Sequence, residues 1–184
     1  WTKYSAPSIA MGHEIAITPL QFANAFSSIA NGGNLLQPMI VKAVTTNNGA
    51  IILKKIKTSK VITRVMSHEV ARDMLNPILV KVVNEGTGKS AKLDEYQVAG
   101  KTGTSQKLEG HGYSHTKFVG SFVAYAPAEQ PKICVLVMVD EPKGGEYYGG
   151  TVAAPIVKNI IKKTLDYQTG KYPYAQDKMI SLLK

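Results

Sequence analysis

Residues 98–105 of the chain are Val-Ala-Gly-Lys-Thr-Gly-Thr-Ser. The pattern predicts a strand with a cation, two hydroxyls and a bare glycine at one edge, because glycine inside a strand marks a bulge or a close backbone approach. Side chains alternate between strand faces, so we expect Lys101 and Gly103 on one face and Thr102 and Thr104 on the other. These groups would suit an extended peptide with an anionic end. Alone, Lys-Thr-Gly is most often a plain turn, so its context matters.

The composition is that of one ordinary globular domain. The 184 residues are 44% hydrophobic and 19% charged, with a net charge of +9, and this length is enough for a packed core. The longest apolar run, residues 133–139, is far shorter than the ~20 residues of a membrane helix. We attribute the positive charge to scattered surface lysines, because no arginine-rich helix with interleaved aromatics indicates nucleic-acid binding. The chain begins at Trp1 without an initiator methionine, and we interpret it as a fragment or processed product.

The first half of the chain predicts two helices. Residues 5–16 have the composition of an irregular connector. Thr18 followed by Pro19 is a typical helix start, and the Asn-Gly-Gly at residues 31–33 is a typical helix end. Ser67 caps a second helix, which is expected to kink or break at Pro77.

The second half predicts three strands and a final helix. The strand at 98–105 is followed by strands at 118–127 and 132–139, and connections this short join antiparallel neighbours. Residues 107–116 contain glycines and polar residues and predict a mobile loop, and residues 152–165 predict a helix. Helices and strands are therefore segregated, and the fold class is α+β with an antiparallel sheet flanked by helices.

Three patterns resemble metal or redox sites but are better explained without them. His13-Glu14 begins like a zinc-protease helix, yet position 17 holds isoleucine where the second histidine is required. His111 and His115 are spaced like a helical metal pair but lie among glycines. The single cysteine, Cys134, lies in an apolar run and is expected to be a buried small side chain. We predict no metal site.

A phosphate-binding loop is also rejected. Residues 86–90 read Gly-Thr-Gly-Lys-Ser, but the first glycine of the phosphate-loop motif would fall at Val83, and the segment follows a predicted helix rather than a strand. We interpret it as a tight loop that ends the helix, and predict no organic cofactor.

The chain resembles the C-terminal part of the transpeptidase domain of class B penicillin-binding proteins over about residues 8–165. The opening segment is most similar to the division-specific penicillin-binding protein 3 type. The matching segments, in chain order, are residues 8–15, 18–21, 30–33, 86–88, 98–104, 118–120, 125–127, 147–150 and 152–155.

This resemblance implies a partial penicillin-recognising serine transpeptidase (β-lactamase-like) fold, with residues 1–184 as the C-terminal portion of the domain. The family has three motifs, S-x-x-K, S-x-N and K-T-G, and this chain has only the third in its expected place. An S-x-x-K string at Ser114 to Lys117 follows the K-T-G strand in the predicted loop and is interpreted as chance. The nucleophilic serine is expected upstream of Trp1, and the chain alone is expected to be inactive.

The resemblance also implies roles for site residues. Lys101 would tune the electrostatics of the missing S-x-N serine and attract the substrate carboxylate, which Thr102 and Thr104 would hydrogen-bond. Gly103 would leave room for the acyl group, and the Thr104 backbone N–H would form half of the oxyanion hole. Tyr148 is expected to shape the substrate groove, with plain packing of the sheet end as the alternative.

The implied activity is peptidoglycan D,D-transpeptidation of stem peptides that end in D-Ala-D-Ala, with acylation by β-lactams. The implied setting is the bacterial inner membrane, through an N-terminal helix outside this chain, with a periplasmic catalytic domain and a lipid-linked glycosyltransferase and divisome proteins as partners. Alternatives within the fold are a D,D-carboxypeptidase or a β-lactamase. A non-catalytic β-lactam or stem-peptide sensor is a third. Without the nucleophile helix, one face of the sheet is expected to expose apolar surface.

Overall fold

The computed structural model describes residues 2–10, 15–41, 43–46, 52–55 (backbone only), 59–110 and 112–171. The helices are α1 (Ser5–Ala10), α2 (Pro19–Ala30), α3 (Asn76–Asn84), α4 (Gly149–Val152) and α5 (Ala154–Gln168), with a π-helical segment at Val70–Leu75 and a 3-10 turn at Lys89–Ala91. The strands are β1 (Asn34–Leu36), β2 (Ala43–Thr45), β3 (Ile52–Lys55), β4 (Val61–Arg64), β5 (Ala99–Glu109), β6 (Gly112–Ala126) and β7 (Ile133–Asp140).

The main sheet has the antiparallel order β5-β6-β7, which confirms the predicted α+β class. Gly103 of β5 lies opposite Ser121 of β6, and Ser121 lies opposite Met138 of β7. Strand β5 is therefore an edge strand of this sheet, with one side of its backbone paired to β6. The segment expected to form the site lies on this edge.

Helices cover both faces of the sheet because the central strand is apolar on both sides. Along β6, Phe122 and Ala124 join the core under α5, whereas Val123 and Tyr125 join the core under α2 and α3. This alternation follows from the two-residue period of a strand. The Tyr125 hydroxyl donates to Asn76 Oδ1 at 2.8 Å, and burial raises the pKa of Tyr125 to about 12.

The first predicted helix forms as expected, and the connector before it does not. Helix α2 begins with a capping box in which Gln21 N–H donates to Thr18 Oγ1 and Thr18 N–H donates to Gln21 Oε1. Residues 5–10, expected to be irregular, form α1, because Ser5 Oγ accepts from the Thr2 N–H and Pro7 lies in the first turn, where its missing N–H is not needed. His13 and Glu14 lie outside the described residues.

The second predicted helix is interrupted where expected. The π-helical segment gives way to α3 at Asn76, next to Pro77, and Val70 N–H donates to Ser67 Oγ at 3.1 Å. Two small antiparallel sheets, β1-β4 and β2-β3, lie between α2 and this helix.

The prediction of a mobile loop at residues 107–116 was wrong. Strand β5 continues to Glu109 and β6 begins at Gly112, so the two strands form a long hairpin. Lys117 of β6 pairs with Glu109 of β5 across the hairpin, and Lys107 of β5 pairs with Glu141, which follows β7, at 2.8 Å. Hydrogen bonds to Glu141 and then Asp140 raise the pKa of Lys107. His111 lies outside the described residues.

Helix α5 starts at Ala154, two residues later than the predicted helix, after the separate turn of α4. It is attached to the segment before β5 by polar contacts: the Tyr96 hydroxyl donates to Asp166 Oδ1 at 3.0 Å, and Lys162 Nζ donates to both Glu95 and Asp166 at 3.0 Å. Only 8% of Asp166 is exposed. In the part of the chain that the structure describes, no helix has the length and apolar character needed to cross a membrane.

We predict that Asp166→Asn lowers stability at neutral pH and that this loss shrinks in acid. Hydrogen bonds from Lys162 and Tyr96 lower the pKa of Asp166. A carboxyl whose pKa is lowered on folding stabilises the protein above its unfolded pKa of about 4 and loses this contribution as the pH falls through the folded pKa. Thermal unfolding of both proteins at pH 7 and pH 3 measures the difference. An equal difference at both pH values would contradict the assignment.

Candidate active site

The edge strand β5 presents its polar side chains to two sides, as the alternation predicts. Thr102 Oγ1 lies 2.8 Å from Thr87 Oγ1, and Thr104 Oγ1 accepts from the Gly149 N–H at 3.3 Å. Lys101 is exposed, and its Nζ donates to the Thr102 carbonyl oxygen at 2.9 Å. The two threonines therefore face the α4 side of the sheet.

A pocket of about 300 Å³ lies on the threonine side of β5. Four segments form it: the loop after α3, the 3-10 turn, β5 and the start of α4. The side chains that line it are hydroxylic, cationic or aromatic, and the described lining contains no carboxylate. The lining residues are Thr87, Lys89, Ser90, Thr102, Thr104, Tyr148, Gly149, Gly150 and Thr151.

Two glycines let the α4 turn sit directly on the strands. A Cβ at Gly149 would overlap the Ser121 carbonyl oxygen and lie 2.5 Å from the Gly103 carbonyl oxygen. A Cβ at Gly150 would overlap the Thr87 carbonyl oxygen. Glycine at positions 149 and 150 therefore permits these close contacts with backbone carbonyl groups, and the contacts form the floor of the pocket.

An apolar groove of about 440 Å³ lies on the other side of β5. Its walls include Ile15 and Ile17 from the segment before α2 and Met138 from β7, and about half of each isoleucine is exposed. Gly103 and Ser121 line its floor, where a Cβ at Gly103 would lie 2.5 Å from Ser121 Oγ. Thr104 lines both this groove and the pocket. The expected exposed apolar surface is present on this face.

Three aromatic rings form a stack that ends at the pocket. Phe118 lies 4.0 Å from Tyr147, centroid to centroid, and Tyr147 lies 4.5 Å from Tyr148. The Tyr147 hydroxyl donates to the Tyr148 hydroxyl at 3.3 Å, and this hydrogen bond raises the pKa of Tyr147. Tyr148 is 55% exposed and lines the pocket, so its ring is available to a ligand.

Ser114 is not arranged as a nucleophile. It is buried, and its Oγ accepts from the Lys117 N–H at 3.1 Å. The Lys117 ammonium pairs with Glu109, so the lysine of this S-x-x-K string has no contact that would activate the serine. Within the described ranges, no group of three or more histidine, cysteine or acidic side chains could hold a metal ion.

The predicted site residues come from two elements: residues 101–104 from both faces of β5, and Tyr148 from the position just before α4. Thr102, Thr104 and Tyr148 meet in the pocket, Gly103 lies under the groove, and Lys101 lies beside them at the exposed strand. Sequence reasoning missed further lining residues from the loop and turn after α3 and from α4, namely Thr87, Lys89, Ser90 and Thr151. The Gly-Thr-Gly of residues 86–88 was a usable signal, because it belongs to the pattern that carried the resemblance.

The sequence and the fold both match known proteins. The penicillin-binding protein transpeptidase domain matches residues 1–162. The chain belongs to this family. It is 40% identical over 158 residues to stage V sporulation protein D of Bacillus subtilis, covering 85% of this chain and 24% of that protein. It is 34% identical over 169 residues to the peptidoglycan D,D-transpeptidase FtsI of Buchnera aphidicola, covering 90% and 27%.

A solved structure of a penicillin-binding protein has the same fold. Penicillin-binding protein 3 of Mycobacterium tuberculosis in complex with aztreonam superposes with a TM-score of 0.79 at 27% identity, covering 92% of this chain and 39% of that one. This neighbour shows that a penicillin-binding protein of this fold binds a β-lactam. The chain spans about a quarter of the length of the two curated relatives.

We predict that Tyr148→Ala slows β-lactam acylation of the full-length penicillin-binding protein about tenfold without changing its melting temperature. The ring lines the pocket but is half exposed, so its removal costs ligand contact rather than core packing. Stopped-flow acylation and thermal unfolding measure the two effects. An unchanged acylation rate at unchanged stability would show that the tyrosine only covers the end of the sheet.

Proposed function

We propose that the protein is a serine-type peptidoglycan D,D-transpeptidase and that this chain supplies the K-T-G side of its active site. The observation that supports this most is the exposed edge of β5, where Thr102 and Thr104 line a pocket together with other hydroxyl side chains and Lys101 lies on the adjoining side. An extended peptide end can lie along such an edge. The relative named peptidoglycan D,D-transpeptidase supports the same chemistry.

The proposed reaction has two acyl-transfer steps. A serine hydroxyl attacks the carbonyl of the D-Ala-D-Ala peptide bond, the C–N bond breaks, and D-Ala leaves with the proton on its amine. The resulting ester is attacked by an amine of a neighbouring stem peptide: a new amide C–N bond forms, the ester C–O bond breaks, and a proton of the attacking amine passes to the serine oxygen. The Thr104 backbone N–H would stabilise the oxyanion of each tetrahedral intermediate, and Gly103 would keep the approach open.

The serine itself is proposed to lie outside these 184 residues. The K-T-G strand has no S-x-x-K partner in the described structure, because Lys117 pairs with Glu109 and Ser114 is buried. We propose that the segment bearing this serine packs in the apolar groove beside Gly103. We further propose a role in division, anchorage in the inner membrane with a periplasmic catalytic domain, and work with a lipid-linked glycosyltransferase and divisome proteins, following the similarity to FtsI.

Incubation of the full-length protein with glycan strands whose stem peptides end in D-Ala-D-Ala tests this function. Chromatography of the digested product should show cross-linked peptide dimers together with free D-Ala. Free D-Ala without dimers would make the protein a carboxypeptidase. Acylation by a β-lactam with neither product would make it a sensor.

A further inference from the structure

Residues 141–148 form the segment that joins β7 to α4 and carries Tyr148 to the pocket. The segment begins in a strained backbone conformation, because Glu141 has a φ of 48°. A residue with a side chain rarely adopts this left-handed region, which persists only where the surrounding structure holds it. The Glu141 N–H donates to the Phe118 carbonyl oxygen at 2.9 Å, and its carboxylate accepts from Lys107 Nζ at 2.8 Å. Both the backbone and the side chain of Glu141 are therefore held.

Lys107 joins the hairpin of β5 and β6 to the start of this segment. Its ammonium group also donates to both carboxylate oxygens of Asp140, at 3.0 and 3.2 Å. It thus contacts the last residue of β7 and the residue after it. Only 34% of the Lys107 side chain is exposed. Three acceptor oxygens and this partial burial distinguish the cluster from an isolated surface ion pair, which contributes little to stability.

Phe118 of β6 connects the two ends of the segment. Its carbonyl oxygen accepts from Glu141, and its ring stacks on Tyr147 with a centroid distance of 4.0 Å. Tyr147 in turn contacts the ring of Tyr148. Between these ends, the two glycines at 144–145 have positive φ, and a Cβ added at either would meet no atom within 4 Å. The contacts at its two ends therefore set the course of the segment.

We propose that Lys107 is a positioning residue for acyl transfer: by holding Glu141 against Phe118, it fixes the stack of aromatic rings and thereby the place of Tyr148 at the pocket. The proposal rests on the transpeptidase function proposed above. Lys107 acts through Tyr148 and is not itself a catalytic residue. The α4 turn holds the other end of the segment on the strands, so loss of Lys107 should displace the ring and leave the sheet folded.

A double-mutant cycle tests this role through acylation of the full-length protein by benzylpenicillin. Lys107→Met should slow acylation about fivefold, which is the expected effect of losing a partly exposed ion-pair cluster. In a Tyr148→Ala background the same substitution should have no further effect, because the ring that it positions is absent. Lys107→Arg should keep close to the wild-type rate, since a guanidinium can pair with both carboxylates.

Limited proteolysis gives a second measurement that does not depend on activity. Lys143 lies within the segment, its side chain is 86% exposed, and trypsin cleaves after lysine. Without the Lys107 contacts, Glu141 should leave its strained conformation and the segment should open more often. Cleavage after Lys143, followed by mass spectrometry, should then be about fivefold faster in Lys107→Met, because proteolysis reports the population of the open form.

Lys117→Met is the matched control, because Lys117 is a lysine of the same hairpin that pairs with Glu109. Wild-type rates of acylation and cleavage in Lys107→Met, or the same changes in Lys117→Met, would overturn the proposal and leave the transpeptidase function in place. Independent, multiplying effects of Lys107→Met and Tyr148→Ala would also overturn it. A wild-type protein that benzylpenicillin does not acylate would overturn the proposed function, and the role of Lys107 with it.

Discussion

Lys101→Met in the full-length protein should slow acylation by β-lactams about 10²- to 10³-fold, with the melting temperature unchanged. The side chain is exposed at the edge strand and contacts the backbone carbonyl of Thr102, so its loss leaves the core intact. The family resemblance implies that its charge tunes the S-x-N serine and attracts the substrate carboxylate. Losing a positioned group of this kind costs two to three orders of magnitude.

Rapid-quench measurement of acyl-enzyme formation, alongside thermal unfolding, checks this result. If Lys101→Met acylates at the wild-type rate, the K-T-G strand is not part of the reacting site.

Gly149→Ala should lower the free energy of unfolding by about 3 kcal/mol and remove most of the acylation activity. The added methyl would overlap the Ser121 carbonyl oxygen and lie 2.5 Å from the Gly103 carbonyl oxygen. Both atoms belong to paired strands that cannot rotate away, so the α4 turn must lift off the sheet. Overpacking against a fixed neighbour costs up to about this amount, and the pocket would lose its floor.

Gly112→Ala is the matched control, because no atom lies within 4 Å of a Cβ added there. Chemical denaturation of the three full-length proteins gives the comparison. A Gly149→Ala protein as stable as the Gly112→Ala protein would show that the turn and the strands are not in the tight contact described.

Local signals predicted the elements that form the site, and long-range packing produced what the sequence did not reveal. Helix α2 follows from the Thr18 and Gln21 capping box, and β5 follows from its glycine and threonine pattern. Strand β5 continues to Glu109 through its pairing with β6, where Leu108 lies opposite Tyr113 and Glu109 lies opposite Gly112. The glycines and polar residues of this segment favour a loop, and the pairing of the two strands overrides that local preference.

The pocket likewise combines residues placed by local periodicity with residues placed by long-range packing. Thr102 and Thr104 belong to one strand, and their shared face follows from the two-residue period. Thr87 joins them across 15 residues through its hydroxyl contact with Thr102. Lys89 joins through the anchoring of Ala91 in the core. Both depend on how α3 packs against the sheet, which periodicity alone does not specify.

Locating the acyl group after incubation with ampicillin tests whether this chain supplies the K-T-G side of an active site whose serine lies outside it. The full-length protein would be treated with the drug, digested, and its peptides identified by mass spectrometry. The adduct is expected on a serine outside residues 1–184, and the peptides of this chain should remain unmodified. An adduct on a serine within these residues, Ser114 included, would contradict it.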